Sequence, residues 1–309
     1  MKTLLMIGGT GFIGREIIKS LNPKDFRILV FSSLGKDANE IRSHNKDSEI
    51  QVFLGQLVDT DLIESIITDH KVDIVIHLAS SLVPISTIDE YNLELENIIY
   101  PTIKLINKLA NHGIKLIYFS SGGNIYKQTS DHIHELSETE INNFYAKSKL
   151  MIESAIISKS KEIQPFNYLI LRPSNVYGRT NRINIKQGFI ENTILRITQN
   201  KPIAIWGDGK QTRDYIHISD LVKILKVIGL DSATQGILNV ASGNSINLLD
   251  IVKIIMATIG HETEIVFDDK VYFGPKEIKF NISNLEQLIN FQPVQIEAGI
   301  KKLISQLNG

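Results

Sequence analysis

The sequence predicts an α/β protein built on a doubly wound parallel sheet, with a smaller mixed α/β lobe toward the C-terminal end. Three observations predict this class. Short apolar runs alternate with helical patterns in the first half, a glycine-rich turn follows the first run, and the second half mixes short strands and helices between turns marked by Pro and Gly. Continuous apolar strands separated by helices imply right-handed crossovers and a sheet that helices cover on both faces.

The elements alternate along the chain. Strands are predicted at Thr3–Ile7, Arg27–Phe31, Gln51–Leu54, Ile74–Leu78, Lys115–Ser120 and Asn167–Leu171, and helices at Phe12–Leu21, Asp61–Asp69, Tyr91–Asn111 and Phe144–Lys159. In the second half, helices are predicted at Gln187–Gln199, Ser219–Gly229, Leu248–Ile259 and Ile296–Leu307, strands at Ile203–Trp206, Leu238–Val240 and Glu264–Phe267, and turns at Pro173–Gly178 and Trp206–Gly209. We predict a sheet domain at 1–172, to which 211–241 returns, and a lobe over most of 173–309.

Composition excludes several classes of function. The chain has 309 residues, with 33 Lys and Arg against 34 Asp and Glu, and no cysteine. Near-zero net charge without a basic run argues against a nucleic-acid partner. No stretch of about 18 apolar residues marks a membrane span. Without cysteine there is neither a disulfide nor a thiolate nucleophile, and we expect a cytoplasmic protein.

A glycine-rich turn follows the first predicted strand and opens the first helix. Gly8 permits the tight turn, Gly11 lets the backbone approach a pyrophosphate, and Gly14 lets the helix pack closely on the strand. The helix then presents unpaired N–H groups and its positive dipole end to the phosphates. In this strand–turn–helix context the spacing predicts a dinucleotide site, with Phe12 and Ile13 beside the cofactor.

The second predicted strand does not end in the acidic residue that commonly binds the adenosine ribose. It runs from Phe31 into Ser32 and Ser33. Ser32 suits either form of the ribose, and Lys36 is placed to meet a 2′-phosphate, although a solvated loop lysine is the commoner case. We expect NAD, and the sequence leaves NADP open.

A tyrosine and a lysine lie one helical turn apart at Tyr145 and Lys149. A phenol has an ordinary pKa of about 10, and a neighbouring ammonium group lowers it, so this pair is suited to proton exchange with a hydroxyl. The same spacing occurs at Tyr100…Lys104 and Tyr272…Lys276. Only Tyr145 opens a helix shortly after a strand that ends in serines, Ser120-Ser121.

Together with later motifs, the chain resembles the extended short-chain dehydrogenase/reductase superfamily, specifically the nucleotide-sugar epimerases typified by UDP-glucose 4-epimerase. The motifs that carry the resemblance are Gly8–Gly14, Asp73–Ala79, Asn97, Ser120–Tyr126, Tyr145…Lys149, Leu171–Gly178, Trp206–Gly209 and Arg213–His217. They span nearly the whole chain. The resemblance implies a Rossmann fold, an NAD(P)-dependent enzyme and a nucleotide-diphosphate sugar as substrate.

The resemblance also implies a role for individual residues. The catalytic residues are Tyr145, Lys149 and Ser121. The cofactor-binding residues are Gly8, Gly11, Phe12, Ile13, Gly14, Ser32, Gln56, Leu57, Leu78, Ala79, Ser80, Asn97, Ser120, Tyr145, Lys149 and Pro173. The substrate-binding residues are Asn175 and Arg213 for the diphosphate, Ala204 and Trp206 for the base, and Gln187. No metal is implied, because His132 and His134 lack a third ligand.

The chain departs from the family pattern at three positions. The relay Ser or Thr lies four residues before the motif tyrosine, where this chain has Gly122, so Ser121 is the nearest substitute. Gln56 replaces the Asp that contacts adenine. The late Arg for the diphosphate aligns near Val271, which leaves Lys270 as the stand-in.

The motif residues favour some reactions of this superfamily over others. Related 4,6-dehydratases need an acid and a base where this chain has Gly123 and Asn124, so dehydration is disfavoured. We expect epimerisation at C4 of a nucleotide-diphosphate hexose through a transient 4-keto sugar. The alternatives are an NAD(P)H-dependent reductase of a 4-keto-6-deoxy sugar and a non-catalytic dinucleotide sensor. The family also implies a homodimer that pairs the helices at Tyr91–Asn111 and Phe144–Lys159.

Overall fold

The computed structural model describes residues 1–33, 35, 41, 50–163, 165–179, 188–230, 233–268 and 276–308. The strands of the described residues are β1 Lys2–Ile7, β2 Phe26–Ser32, β3 Ile50–Leu54, β4 Ile74–His77, β5 Lys115–Phe119, β6 Tyr168–Pro173, β7 Asn175–Tyr177, β8 Ile203–Trp206, β9 Thr212–His217, β10 Gly236–Val240, β11 Ser245–Asn247 and β12 Ile265–Asp268. The helices are α1 Phe12–Ser20, α2 Thr60–Asp69, α3 Ile88–Glu94, α4 Tyr100–Asn111, α5 Phe144–Glu162, α6 Phe189–Thr198, α7 Ile218–Ile224, α8 Leu248–Ile259, α9 Ser283–Leu288 and α10 Ile296–Asn308. Two π-helical segments, Leu95–Ile99 and Leu225–Leu230, join α3 to α4 and extend α7.

Seven strands form the main sheet in the order β10-β6-β5-β4-β1-β2-β3. The pairs from β6 through β3 are parallel, and the register aligns Ile7 with Phe31 on one side and with His77 on the other. The carboxyl ends of β1, β2 and β4 therefore lie side by side. In a doubly wound sheet, ligands bind at this edge.

Apolar side chains from both faces of the main sheet are buried. On one face, Leu5, Val75 and Tyr118 belong to a core shared with α2, α4 and α5. On the other face, Gly229 of the second π-helical segment lies so close to Ile117 that a Cβ there would be 3.1 Å from Ile117 Cδ1. The sheet strands are nearly all apolar because both faces are covered.

The chain divides into two compact units. The first unit contains 1–120, 143–171 and 225–237, and the second contains 121–142, 172–224 and 238–309. Within the second unit, β9 pairs antiparallel with β11 and parallel with β7, and β8 pairs parallel with β12. A separate apolar core supports these small sheets, including residues of α6, α8 and α10.

The predicted α/β class is confirmed, and the strands of the first half begin and end within two residues of their predicted bounds. The prediction of a turn at Pro173–Gly178 is wrong, because β7 occupies Asn175–Tyr177. Three further elements were not predicted: β9, β11 and α9. The second unit contains Arg172 and the segments 121–142, 211–224 and 238–241, all of which the sequence analysis placed in the sheet domain.

Candidate active site

The glycine-rich turn after β1 is shaped by the packing of the chain itself. Gly8 has a φ of +78°, and a Cβ there would lie 2.8 Å from the Ala79 nitrogen. A Cβ at Gly14 would lie 2.4 Å from the Gly9 carbonyl oxygen. At both positions a side chain would collide with backbone, so the fold itself requires glycine.

Gly11 differs from its neighbours, because nothing in the fold requires glycine there. Its φ is −71°, and the nearest atom to an added Cβ would be the Gly8 oxygen at 3.5 Å. Gly11 is the exposed N-cap of α1, its end of the helix has no side-chain cap, and the first turn has no acidic residue. The N-terminal end of α1 carries a positive partial charge, and no side chain at Gly11 blocks the approach of a pyrophosphate. These residues therefore fit a dinucleotide.

At the end of β2, Ser32 is buried and its Oγ lies 3.0 Å from Thr10 Oγ1. This hydrogen bond ties the glycine-rich turn to the strand where the adenosine ribose is expected. Of the two predicted cofactor contacts after β3, Leu57 is buried and Gln56 is exposed. The predicted contacts Lys36, Gln187 and Lys270 lie outside the described residues.

The structure brings Tyr145 and Lys149 together at the start of α5. Asn143 caps this helix, since its Oδ1 accepts a hydrogen bond of 2.8 Å from the Ala146 nitrogen. The cap places Tyr145, half-buried, in the first turn. Lys149 Nζ lies 5.5 Å from the centroid of the Tyr145 ring and donates a hydrogen bond of 3.1 Å to the Phe119 carbonyl at the end of β5.

Lys149 is a buried cation, only 4% exposed. Burial lowers the pKa of Lys149 to about 8, while the charges of Glu94 and Glu153 act in the opposite direction. Because this value lies above neutral pH, the ammonium form predominates at pH 7. A fixed positive charge beside the phenol favours the phenolate, which is the form that accepts a proton from an alcohol.

The residues after β4 are held by a glutamate that sequence analysis missed. Ser80 Oγ donates to Glu94 Oε1 at 3.0 Å, and the Ser81 nitrogen donates to Glu94 Oε2 at 3.0 Å. Glu94 is 1% exposed. Asn97, three residues later, is exposed and does not belong to this hydrogen-bonded group. Its Nδ2 donates to the Leu93 carbonyl of α3 at 2.9 Å.

Two serines and a glycine follow β5, and both serines are buried. Ser120 is buried, and its Oγ has no hydrogen-bond partner among the described residues. Ser121 is also buried. At Gly122, an added Cβ would lie 2.9 Å from both the Arg172 oxygen and Phe280 Cζ, so packing excludes a hydroxyl-bearing side chain. The Gly122 nitrogen donates to the carbonyl of Pro173 at 2.6 Å, which fixes the strand ends together.

The predicted substrate-binding residues that are described all lie in the second unit. Asn175 Nδ2 donates to the Asp214 carbonyl at 2.8 Å, and Arg213 Nη1 donates to the Thr212 carbonyl at 2.6 Å. On β8, Ala204 and Trp206 both face outward and are exposed, because the strand alternates them with buried Ile residues. An exposed indole is suited to stacking on a planar base.

Residues 4–241 match the family model described as the NAD-dependent epimerase/dehydratase family. The chain belongs to this family. The match covers more than half of the sequence and includes both the glycine-rich turn and the Tyr145/Lys149 pair. Together with the relatives described next, this match confirms the predicted resemblance to nucleotide-sugar epimerases, the enzyme class and NAD as the family's cofactor.

Known members of the family carry out more than one reaction. The chain is 28% identical to the dTDP-4-dehydro-6-deoxyglucose reductase of Escherichia coli, over 98% of this chain and 97% of the relative. It is 27% identical to the UDP-glucose 4-epimerase of Halalkalibacterium halodurans, over 84% and 80%. A solved UDP-N-acetylglucosamine 4-epimerase of Methanobrevibacter ruminantium, in complex with UDP-N-acetylmuramic acid, superimposes with a TM-score of 0.89 at 25% identity, covering 99% of this chain and 98% of that one.

Two features of other protein classes are absent from the residues that the structure describes. Over the described part of the chain, no helix has the length and apolarity needed to cross a bilayer. Across the same residues, no three His, Asp or Glu side chains are grouped so as to hold a metal ion.

The sequence analysis did not predict Glu94 and Glu153 as functional residues. For Glu153 a signal was present, because it lies four residues after Lys149 and so continues the Tyr145…Lys149 spacing.

Proposed function

We propose that the protein is an NAD-dependent epimerase that inverts C4 of a nucleotide-diphosphate hexose through a transient 4-keto sugar. The observation that carries the proposal is the Tyr145/Lys149 pair, with its buried ammonium 5.5 Å from the phenol ring centroid. The arrangement is suited to removing a proton from an alcohol while a hydride leaves the same carbon.

The chemistry that NAD supplies when bound is reversible hydride exchange at the sugar C4. Tyr145 takes the proton of the C4 hydroxyl in the oxidative half-reaction and returns a proton in the reductive half. Lys149 holds the positive charge that stabilises the phenolate. We assign the hydrogen bond to the reacting oxygen to Ser121, or to Ser120, whose Oγ has no partner within the described part of the chain. Gly11 and the first turn of α1 would hold the pyrophosphate, on a turn whose shape depends on Gly8 and Gly14.

The epimerase assignment has a direct test. Purified protein is incubated with UDP-glucose and UDP-galactose, and then with the corresponding dTDP sugars, without added cofactor, and the products are separated by chromatography. Interconversion without added cofactor, together with release of NAD on denaturation, supports the epimerase. Binding of the sugars with no turnover under any cofactor condition contradicts catalysis and indicates a sensor.

A 4-keto reductase is the second candidate, and two observations favour it. The Escherichia coli reductase is 28% identical over nearly all of both chains. The end of β2 at Ser32 and Ser33 also carries no carboxylate to exclude a 2′-phosphate. Oxidation of added NADPH by a dTDP-4-keto-6-deoxy sugar, from a protein that releases no NAD on denaturation, would replace the epimerase with this activity.

Arg213 is assigned to the substrate diphosphate, and its planar guanidinium is expected to bind it through two parallel hydrogen bonds. Arg213→Lys keeps the charge and loses this geometry. We expect KM for the nucleotide sugar to rise about 10-fold with kcat little changed. Steady-state kinetics on the variant and on Arg196→Lys, which changes an exposed arginine of the same unit, measure the effect. An unchanged KM in Arg213→Lys contradicts the assignment.

We also propose a cytoplasmic homodimer paired through the α3–α4 run and α5. The support is apolar exposure: Ile88, Leu93 and Tyr100 are 51%, 60% and 53% exposed. Such residues on one helical run are typical of an interface. Light scattering should give twice the chain mass, and replacing Leu93 with Lys should shift the protein toward the monomer. A monomeric wild-type protein contradicts this proposal.

A further inference from the structure

Lys149, a member of the catalytic pair, and two glutamates are charged side chains buried in the first unit. Lys149 is 4% exposed, Glu94 1% and Glu153 2%. Burying a single charge is strongly unfavourable unless opposite charges and hydrogen bonds compensate it. One carboxylate would be enough to balance the charge of Lys149, and this part of the fold buries two. This excess calls for an explanation beyond the packing of the helices.

The two acids reach Lys149 from different elements. Glu153 lies one turn after Lys149 on α5, so the two share a face of that helix. Glu94 ends α3, which packs on α5 through the stacked rings of Tyr91 and Phe144, 5.1 Å between centroids, and its charge also acts on Lys149. Glu94 is in turn fixed by Ser80 and Ser81 after β4. The two acids are therefore held by separate parts of the fold, and the charges of both act on the Lys149 ammonium group.

Two further buried titratable groups near Lys149, His77 and Tyr118, are neutral at physiological pH. Burial, together with the Lys149 charge, lowers the pKa of His77 to about 3, and Thr102 Oγ1 lies 2.9 Å from its Nε2. Burial raises the pKa of Tyr118, whose ring centroid lies 5.4 Å from Lys149 Nζ, well above its ordinary value. Tyr145 is the other phenol at this lysine. Glu94 and Glu153 are thus the groups that supply negative charge to it.

We propose that Glu94 and Glu153 are positioning residues that keep Lys149 protonated and directed at Tyr145. Without them, burial would favour the neutral amine, and a neutral amine cannot stabilise the Tyr145 phenolate. Because Glu94 also holds Ser80 and Ser81, the charge on Lys149 is linked to the loop after β4, where the cofactor is expected. The inference rests on the proposed function, since it explains how this chain sets up its proton acceptor.

The test replaces each acid by its uncharged isostere, Glu94→Gln and Glu153→Gln. A glutamine at 94 can still accept from Ser81 and pair with Ser80, so it removes charge more than contacts. The matched control is Glu96→Gln, an exposed glutamate two residues after Glu94. Glu153→Asp keeps the charge and serves as the conservative rescue. Circular dichroism checks that each variant folds.

The readout is the protonation of Lys149 itself, followed against pH through the carbon NMR signal of its Cε in the protein without substrate. The Lys149 signal is the one that disappears in Lys149→Met. We expect its midpoint to move to lower pH by about one unit in each Gln variant, to stay unchanged in Glu96→Gln, and to return in Glu153→Asp, because a carboxylate near an ammonium group favours the charged form of the amine. The alkaline limit of kcat should move to lower pH, because Lys149 would lose its proton earlier.

A Lys149 midpoint that is unmoved in both Gln variants overturns the inference, as does an equal shift in the Glu96→Gln control. The two variants are independent, so one that fails to fold leaves the other decisive. Absence of turnover on every nucleotide sugar would count against the proposed function alone, because the NMR titration needs no reaction.

Discussion

Tyr145→Phe should fold normally and lose about 10²- to 10⁴-fold of its turnover number, because it removes one hydroxyl from the proton acceptor. The ring itself stays. Phenylalanine keeps the half-buried ring on the first turn of α5 and its contact with the Lys149 ammonium group, so we expect the fold to be retained. The measurement is kcat on the active nucleotide sugar, with thermal unfolding in parallel. We expect KM to change much less than kcat.

The chain supplies a matched control for that variant. Tyr100 precedes Lys104 with the same spacing, but it is 53% exposed at the start of α4. Tyr100→Phe should leave kcat within about twofold of the wild type, since an exposed surface hydroxyl contributes little. Near-normal turnover in Tyr145→Phe, or an equal loss in Tyr100→Phe, would contradict the role of Tyr145 as the proton-transferring residue.

Local patterns were sufficient to predict the sheet and the glycine-rich turn. β1, β2 and β4 are runs of apolar residues because both faces of the sheet are covered, and this leaves a signal in the sequence. The start of α5 was predicted at Phe144, where the structure has it, and the capping residue Asn143 lies directly before it in the chain. These features depend on residues close in sequence.

Features that depend on distant residues were not predictable. β9 contains Arg213 and Asp214, which are buried in spite of their charge, so its sequence does not resemble a strand. Gly122 looked like a missing hydroxyl, and only the approach of Phe280 shows why a side chain is excluded there. Glu94 and Glu153 lie on helices where glutamate is ordinarily exposed. Their burial around Lys149 follows from the packing of α3, α4 and α5 against the sheet.

The glycine-rich turn allows cofactor binding to be separated from folding. Gly14→Ala should lower the free energy of unfolding by about 1–3 kcal/mol, because its Cβ would lie 2.4 Å from the Gly9 oxygen and backbone must move. Gly11→Ala should keep stability within about 1 kcal/mol of the wild type, since Gly11 already has an ordinary φ of −71°. Chemical denaturation of the cofactor-free protein measures both.

NAD affinity should distinguish Gly11→Ala from the wild type, although the two proteins have similar stability. A methyl group on Gly11 would occupy the side from which a pyrophosphate approaches the first turn of α1, so we expect NAD to bind at least about 10-fold more weakly to Gly11→Ala. Calorimetry on the folded variant gives this value, and added NAD should raise its melting temperature less than that of the wild type. Wild-type affinity in Gly11→Ala would place the phosphates elsewhere, because the fold gives no other reason for glycine at this position.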